Sequence, residues 1–157
     1  MVKVIGLTGP IGAGKDEVSR LLRRRGAYII DADAVAHSLY GIQSPVWHEL
    51  IRVFGSKILV RGGKINRKKL GGIVFSDKKR LKELDRIIHP PLKEAILQIT
   101  ADQKSEREKQ KTGNRDQLII INAAVLKEIG LLDEVNEVWA VAASKEIRLK
   151  RLVKAGF

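Results

Sequence analysis

Apolar positions along the chain alternate between short continuous runs and stretches of helical period. Residues 2–8 form a short apolar run that predicts a strand. Residues 9–14 are a glycine-rich turn, and residues 15–25 carry Val18, Leu21 and Leu22 at helical spacing. Gly26 stands where a helix C-terminus favours glycine. Residues 27–30 predict a second strand, with Asp31 and Asp33 just past its end. Helices are predicted at 34–40 and, opened by Pro45, at 45–54.

The middle of the chain is helical in pattern. A turn around Gly62-Gly63 spans 61–65, and helices are predicted over 67–75, 77–88 and 92–102. His89-Pro90-Pro91 is expected to separate the last two, because proline lacks an N–H and crowds the preceding turn. Residues 104–116 are almost wholly polar and read as a solvated helix end and loop. The run 118–121 predicts a buried strand, 125–129 a short helix, 138–142 a fourth strand and 145–154 a basic helix.

The order is β-α-β, a helical insert, then β-α-β-α. Strands alternating with helices imply an α/β fold, a parallel sheet flanked by helices. The expectation is one domain over 1–157, with a core at about 1–45 and 116–157 and a helical substrate-binding insert at about 46–115. Ligands of such sheets bind beyond the carboxyl ends of the strands. Gly9–Lys15, Asp31–Asp33 and Asn122 all fall at such ends.

Composition adds a partner class. The formal net charge is +12, which points to an anionic partner, either nucleic acid or a polyphosphate small molecule, or else to thermal adaptation or solubility alone. Aromatic residues make up only 4%, too few for stacking on unpaired bases, so nucleic acid is disfavoured. The chain has no cysteine, which rules out disulfides and thiolate metal sites and fits a reducing cytosol. No signal-like apolar run opens it, and no stretch reaches the roughly 18 apolar residues of a membrane span. The expectation is a cytoplasmic monomer.

The chemistry begins at Gly9-Pro10-Ile11-Gly12-Ala13-Gly14-Lys15, which matches the phosphate-loop pattern G-x-x-x-x-G-K between a predicted strand and a predicted helix. Glycines let backbone N–H groups turn inward around phosphate oxygens, and the following helix start adds partial positive charge. Lys15 is placed to reach the β- and γ-phosphates of ATP. The nucleotide-binding stretch is read as continuing through Asp16 and Glu17. Asp16 stands where Ser or Thr is usual, and two readings stay open: a hard oxygen ligand for Mg²⁺, or an acidic first-turn residue that suits the helix dipole.

Several segments together resemble the dephospho-CoA kinases in order and spacing: G-L-T-G-P-I-G-A-G-K at 6–15, I-I-D-A-D-A-V-A-H at 29–37, F-G at 54–55, G-K-I-N-R-K-K-L at 63–70, I-V-F at 73–75 and I-I-H-P at 87–90. The D-A-D and I-V-F…H-P segments separate this family from adenylate and shikimate kinases. The resemblance implies a P-loop kinase fold and transfer of the ATP γ-phosphate to the ribose 3′-hydroxyl of dephospho-CoA, the last step of CoA synthesis. It places Asp33 at the family's catalytic aspartate, where a carboxylate can orient the hydroxyl and accept its proton. It places Arg151 at a lid arginine that stabilises γ-phosphate charge, although a basic helix surface would look the same. His37 and His89 fall on family positions that imply substrate contact, with a structural hydrogen bond the other reading for His89. Arg67, Lys68 and Lys69 fall in the substrate-binding insert, where they meet substrate phosphates or form a solvated helix face. Asp31 either binds Mg²⁺ through water or caps the next helix.

Two departures from the family pattern stand out. The third strand ends in Asn122 where an acidic residue is common; if Asp16 is a metal ligand, the metal carboxylate has moved from the strand to the loop, with Asn122 binding metal-bound water. The resemblance also implies a longer lid and a fifth strand, of which residues 146–157 reach only the start, so the C-terminal part and a further lid arginine are expected to be lacking. Without a closing lid, ATP hydrolysis is expected to compete with transfer. The alternatives are another P-loop small-molecule kinase, or a basic nucleotide-binding protein without catalysis that holds nucleic acid.

Overall fold

The computed structural model describes residues 1–109 and 117–156. Its elements are β1 (Val2–Thr8), α1 (Lys15–Arg24), β2 (Tyr28–Asp31), α2 (Ala32–Ser38), α3 (Pro45–Phe54), α4 (Arg67–Val74), α5 (Lys78–Lys109), β3 (Gln117–Asn122), β4 (Glu137–Ala140) and α6 (Lys145–Lys154). Contacts gather the chain into two compact units, one of Met1–Ala32 with Ile96–Phe157 and one of Asp33–Ala95.

The first unit is built on the sheet. Its four strands run parallel in the order β2-β3-β1-β4. Val4, Ile5 and Leu7 of β1 and Ile119, Ile120 and Ile121 of β3 are all buried, which is why the central strands read as unbroken apolar runs. Val18 and Leu22 of α1 pack on a cluster of Ile5, Leu7, Ala27 and Ile120. Leu21, expected on that face, is exposed, and Ser19 is buried instead. The fourth strand is shorter than the 138–142 predicted and lies at the sheet edge, with both Val138 and Trp139 exposed.

Three predicted elements differ. The segment at 125–129 is not an α-helix but a single turn, closed when Gly130 N–H donates to Lys127 O at 2.9 Å and Leu131 N–H to Leu126 O at 3.1 Å. Leu126 lies so close on β1 that a Cβ on Gly6 would meet its Cδ2 at 2.4 Å. The second helix begins at Ala32 rather than at 34 and ends at Ser38, so Asp31 closes β2 and Asp33 lies in the helix's first turn, where a negative charge suits the dipole. Leu39 and Tyr40, expected in that helix, close it with tighter bonds to the carbonyls of Ala36 and His37.

The third difference is α5, a single helix through Pro90 and Pro91. Ile88, Leu92 and Ile96 are buried at four-residue spacing across the prolines. The apolar stripe therefore continues past the two lost amide donors, and its burial outweighs them. The helix also takes in residues up to Lys109 of the polar stretch, and the rest of the predicted 104–116 loop lies outside the described residues.

The second unit is helical. Ser44 Oγ accepts from Trp47 N–H at 3.0 Å and caps α3, which buries Val46, Leu50 and Phe54. Asn66 Oδ1 accepts from Lys69 N–H at 3.0 Å and caps α4, which buries Leu70 and Val74. Both helices contact a 3-10 turn at Ser56–Ile58, whose Ile58 is fully buried. Among the described residues no helix is long and apolar enough to cross a membrane.

Candidate functional site

The loop between β1 and α1 takes the shape that the glycines predict. Gly9 has φ +147°, and a Cβ there would stand 2.2 Å from the Val141 carbonyl oxygen, so no side chain fits. Gly14, at φ +103°, is the N-cap residue of α1, and its carbonyl accepts from Val18 N–H at 3.2 Å. Glu17 N–H also donates to Gly14 O at 3.1 Å, and the N–H groups ahead of it in the first turn lack a carbonyl four residues back, which makes this helix start an anion site.

Two cations converge on the loop, one from its own end and one from the distant α6. Lys15 Nζ donates to Gly9 O at 3.1 Å. Arg151, from α6, donates from one guanidinium nitrogen to both Gly12 O and Ala13 O at 3.0 Å. The carbonyls of the loop thus hold both positive groups beside the amides that would cradle a phosphate. Glu17 faces outward and pairs with Arg20 at 2.6 Å, so its side chain serves the helix surface.

Of the three residues singled out for a metal, Asn122 and Asp16 touch at the end of β3, and Asp31 is the register neighbour of Asn122 on β2. Asn122 is the register partner of both Leu7 and Asp31, and its Nδ2 donates to Asp16 Oδ1 at 3.3 Å. Asn122 is 8% exposed, and its Oδ1 is buried without a hydrogen-bond partner. Such an orphaned oxygen next to a carboxylate is unusual in a folded interior. Among the described residues no group of three or more His, Cys, Asp and Glu forms a cation cage, so this is a two-carboxylate, one-amide arrangement.

Asp33, His37 and Arg67 belong to the second unit. Asp33 and His37 are one helical turn apart on α2, and both are exposed. The Arg67 guanidinium donates to His37 Nε2. Both residues line a cavity of about 520 Å³ together with Tyr40 and Lys64. Burial pushes the Tyr40 hydroxyl above the ordinary tyrosine range, and the nearby Arg67 charge acts in the opposite sense. Tyr40 and Lys64 were missed by sequence reasoning. Lys64 was within reach of it, as a cation in the turn that leads to Arg67.

Lys69 and His89 do not line this cavity. Lys69 is exposed in the first turn of α4, where its backbone N–H serves the Asn66 cap. His89 Nε2 lies 3.5 Å from Asp85 Oδ1, one turn back on α5, and lines a separate concavity of about 340 Å³ with Lys82 and Arg86.

The chain matches the family model described as dephospho-CoA kinase over residues 3–156. It is 39% identical over 155 residues to the dephospho-CoA kinase of Aquifex aeolicus, covering 99% of this chain and 74% of that protein. It is 38% identical over 154 residues to that of Dehalococcoides mccartyi, covering 96% of this chain and 72% of the relative. Among solved structures it resembles TT1252 from Thermus thermophilus, with a TM-score of 0.73 and 30% identity over 99% of this chain and 73% of that one. A dephospho-CoA kinase from Campylobacter jejuni shares the fold at a TM-score of 0.59 and 18% identity, covering 99% of this chain and 96% of that one.

Proposed function

We propose, for a chain that belongs to the dephospho-CoA kinase family, that it transfers the γ-phosphate of ATP to the ribose 3′-hydroxyl of dephospho-CoA, releasing CoA and ADP. The observation that carries the chemistry is the convergence of Lys15 and Arg151 on the carbonyls of Gly9, Gly12 and Ala13. Two cations held there neutralise the negative charge that spreads over the transferring phosphoryl group.

The backbone amides at the start of α1 cradle the phosphates of ATP. Lys15 and Arg151 exchange loop carbonyls for phosphate oxygens, which are stronger, charged acceptors. Asp33 orients the acceptor hydroxyl and takes its proton as the new P–O bond forms and ADP leaves. His37 and Arg67 hold the acceptor at the cavity they share, and any contact of Lys69 or His89 with it is made outside that cavity.

Mg²⁺ fits the donors present, because hard carboxylate and amide oxygens suit it and the Asn122 Oδ1 has no protein partner. Asp16 would hold it directly, with Asp31 and Asn122 acting through water. Bound there it would neutralise charge on the β- and γ-phosphates. A cytoplasmic location agrees with the absence of cysteine and with the two soluble substrates.

The test is ADP release from ATP and Mg²⁺ across a panel of acceptors. Turnover with dephospho-CoA and not with nucleoside monophosphates or shikimate supports the reading. Turnover with a nucleoside monophosphate alone contradicts it.

A further inference from the structure

We propose that Arg148 is a second nucleotide-contacting arginine of α6, one that binds the phosphates of ATP in the ground state while Arg151 serves the transferring group. The inference rests on the reading of the phosphate loop as the ATP site and adds a residue to it.

The first support is an unmet donor. Arg148 Nε is buried and has no hydrogen-bond partner. A donor shut away from water without an acceptor costs free energy, so native structures rarely leave one. Among the described residues Arg148 also belongs to no ion pair with Asp or Glu. A guanidinium donates and never accepts, so what completes it is an acceptor, and an anionic oxygen is the strongest one. Its planar fork matches phosphate oxygens.

The second support is place. A Cβ on Gly12 would stand 3.1 Å from Arg148 O, 3.2 Å from Arg148 Cβ and 3.3 Å from Arg148 Cα. The backbone of α6 therefore lies against the phosphate loop, and the Arg148 side chain leaves the helix at that contact. Arg148 and Arg151 are three residues apart on α6, so they share the face that meets the loop. Lys150, between them in sequence, is exposed.

The third support is the contrast with Arg151. One Arg151 nitrogen is engaged by both Gly12 O and Ala13 O, so it gives up two bonds when it meets a phosphate. Arg148 Nε has no bond to give up. A donor that exchanges one acceptor for another gains only the difference, whereas an unpaired buried donor gains the whole interaction. Ground-state affinity therefore falls to Arg148. Arg151 gains most where its new acceptor carries more charge, which is the transition state.

The experiment is calorimetric binding of ATP, steady-state kinetics and thermal denaturation with the full chain, for wild type, Arg148→Met, Arg148→Lys and, as a charge control, Lys150→Met. Methionine keeps an apolar stem against Gly12 and removes the donors. Arg148→Met should weaken ATP, in Kd and KM, by about 10- to 100-fold. Its kcat at saturating ATP should stay close to wild type. Its denaturation midpoint without nucleotide should equal or exceed wild type, because no bond is lost. Arg148→Lys keeps the stem and the charge but not the Nε donor, and should bind ATP with an affinity between the two. Lys150→Met should match wild type. Equal losses in Lys150→Met and Arg148→Met would mean bulk charge and overturn the assignment. Unchanged ATP binding in Arg148→Met, or a loss confined to kcat, would overturn it as well. A lower midpoint together with weaker binding would mean that Arg148 only braces the loop. A wild-type chain that binds no ATP would overturn the reading of the loop, and the assignment with it.

Discussion

Asn122 donates to Asp16 across 3.3 Å and keeps its own Oδ1 buried without a partner. The end of β3 and the start of α1 thereby form one polar unit, with the negative charge on the helix and not on the strand. If this unit holds Mg²⁺, the charge should be movable. Asp16→Ser should lower Mg²⁺-dependent turnover by at least about 10-fold, since one charged ligand is lost. Adding Asn122→Asp should restore most of it. A double variant as inactive as Asp16→Ser would refute the exchange of positions, as would an Asp16→Asn enzyme with unchanged Mg²⁺ dependence.

Arg151 reaches the phosphate loop from the other end of the chain and shares its guanidinium between Gly12 O and Ala13 O. An arginine that meets transition-state charge is worth about 10³-fold or more in kcat. Arg151→Ala should cost on that order in kcat with a small change in the KM for ATP, and Arg151→Lys should recover a fraction. A change confined to thermal stability would mean that Arg151 only braces the loop.

Gly9 has no space for a side chain beside the Val141 carbonyl. Gly9→Ala should lower the stability of the chain by about 2–4 kcal/mol, or prevent folding, because the obstacle is backbone and the φ is unfavourable. Chemical denaturation measures it. Stability equal to wild type would show that the loop has another conformation available.

The Tyr40 hydroxyl holds its proton more tightly in the folded chain than in the unfolded one, because burial disfavours its anion. The stability it contributes is complete below the unfolded tyrosine pKa of about 10 and is lost as pH rises through the higher folded value. The denaturation midpoint should fall more steeply above about pH 10 in wild type than in Tyr40→Phe. Arg67→Ala, which removes the opposing charge, should move the Tyr40 titration further up. Identical alkaline profiles for wild type and Tyr40→Phe would contradict the assignment.

The phosphate loop was legible in the sequence because its causes are local: an apolar run, glycines at fixed offsets, and a lysine at the helix start. The continuous α5 was not. The local effect of Pro90 and Pro91 is written in the sequence, whereas the burial of Ile88, Leu92 and Ile96 that carries the helix through them is a property of packing. His37 and Arg67 could be named one at a time, but not their contact, nor the cavity they share with Tyr40 and Lys64. That cavity forms when the chain returns from residue 42 to residue 64, and no periodicity records such a return. For the same reason Arg151 could be marked through a family resemblance, while the carbonyls that receive it could not.

The central claim is tested most directly by ATP turnover with and without dephospho-CoA, with the product's phosphate position assigned by NMR, for wild type, Lys15→Ala and Asp33→Asn. The account predicts dephospho-CoA-dependent ADP release, a new phosphate on the ribose 3′-oxygen, and loss of both in each variant. Turnover that ignores dephospho-CoA, or survives Asp33→Asn undiminished, would contradict it.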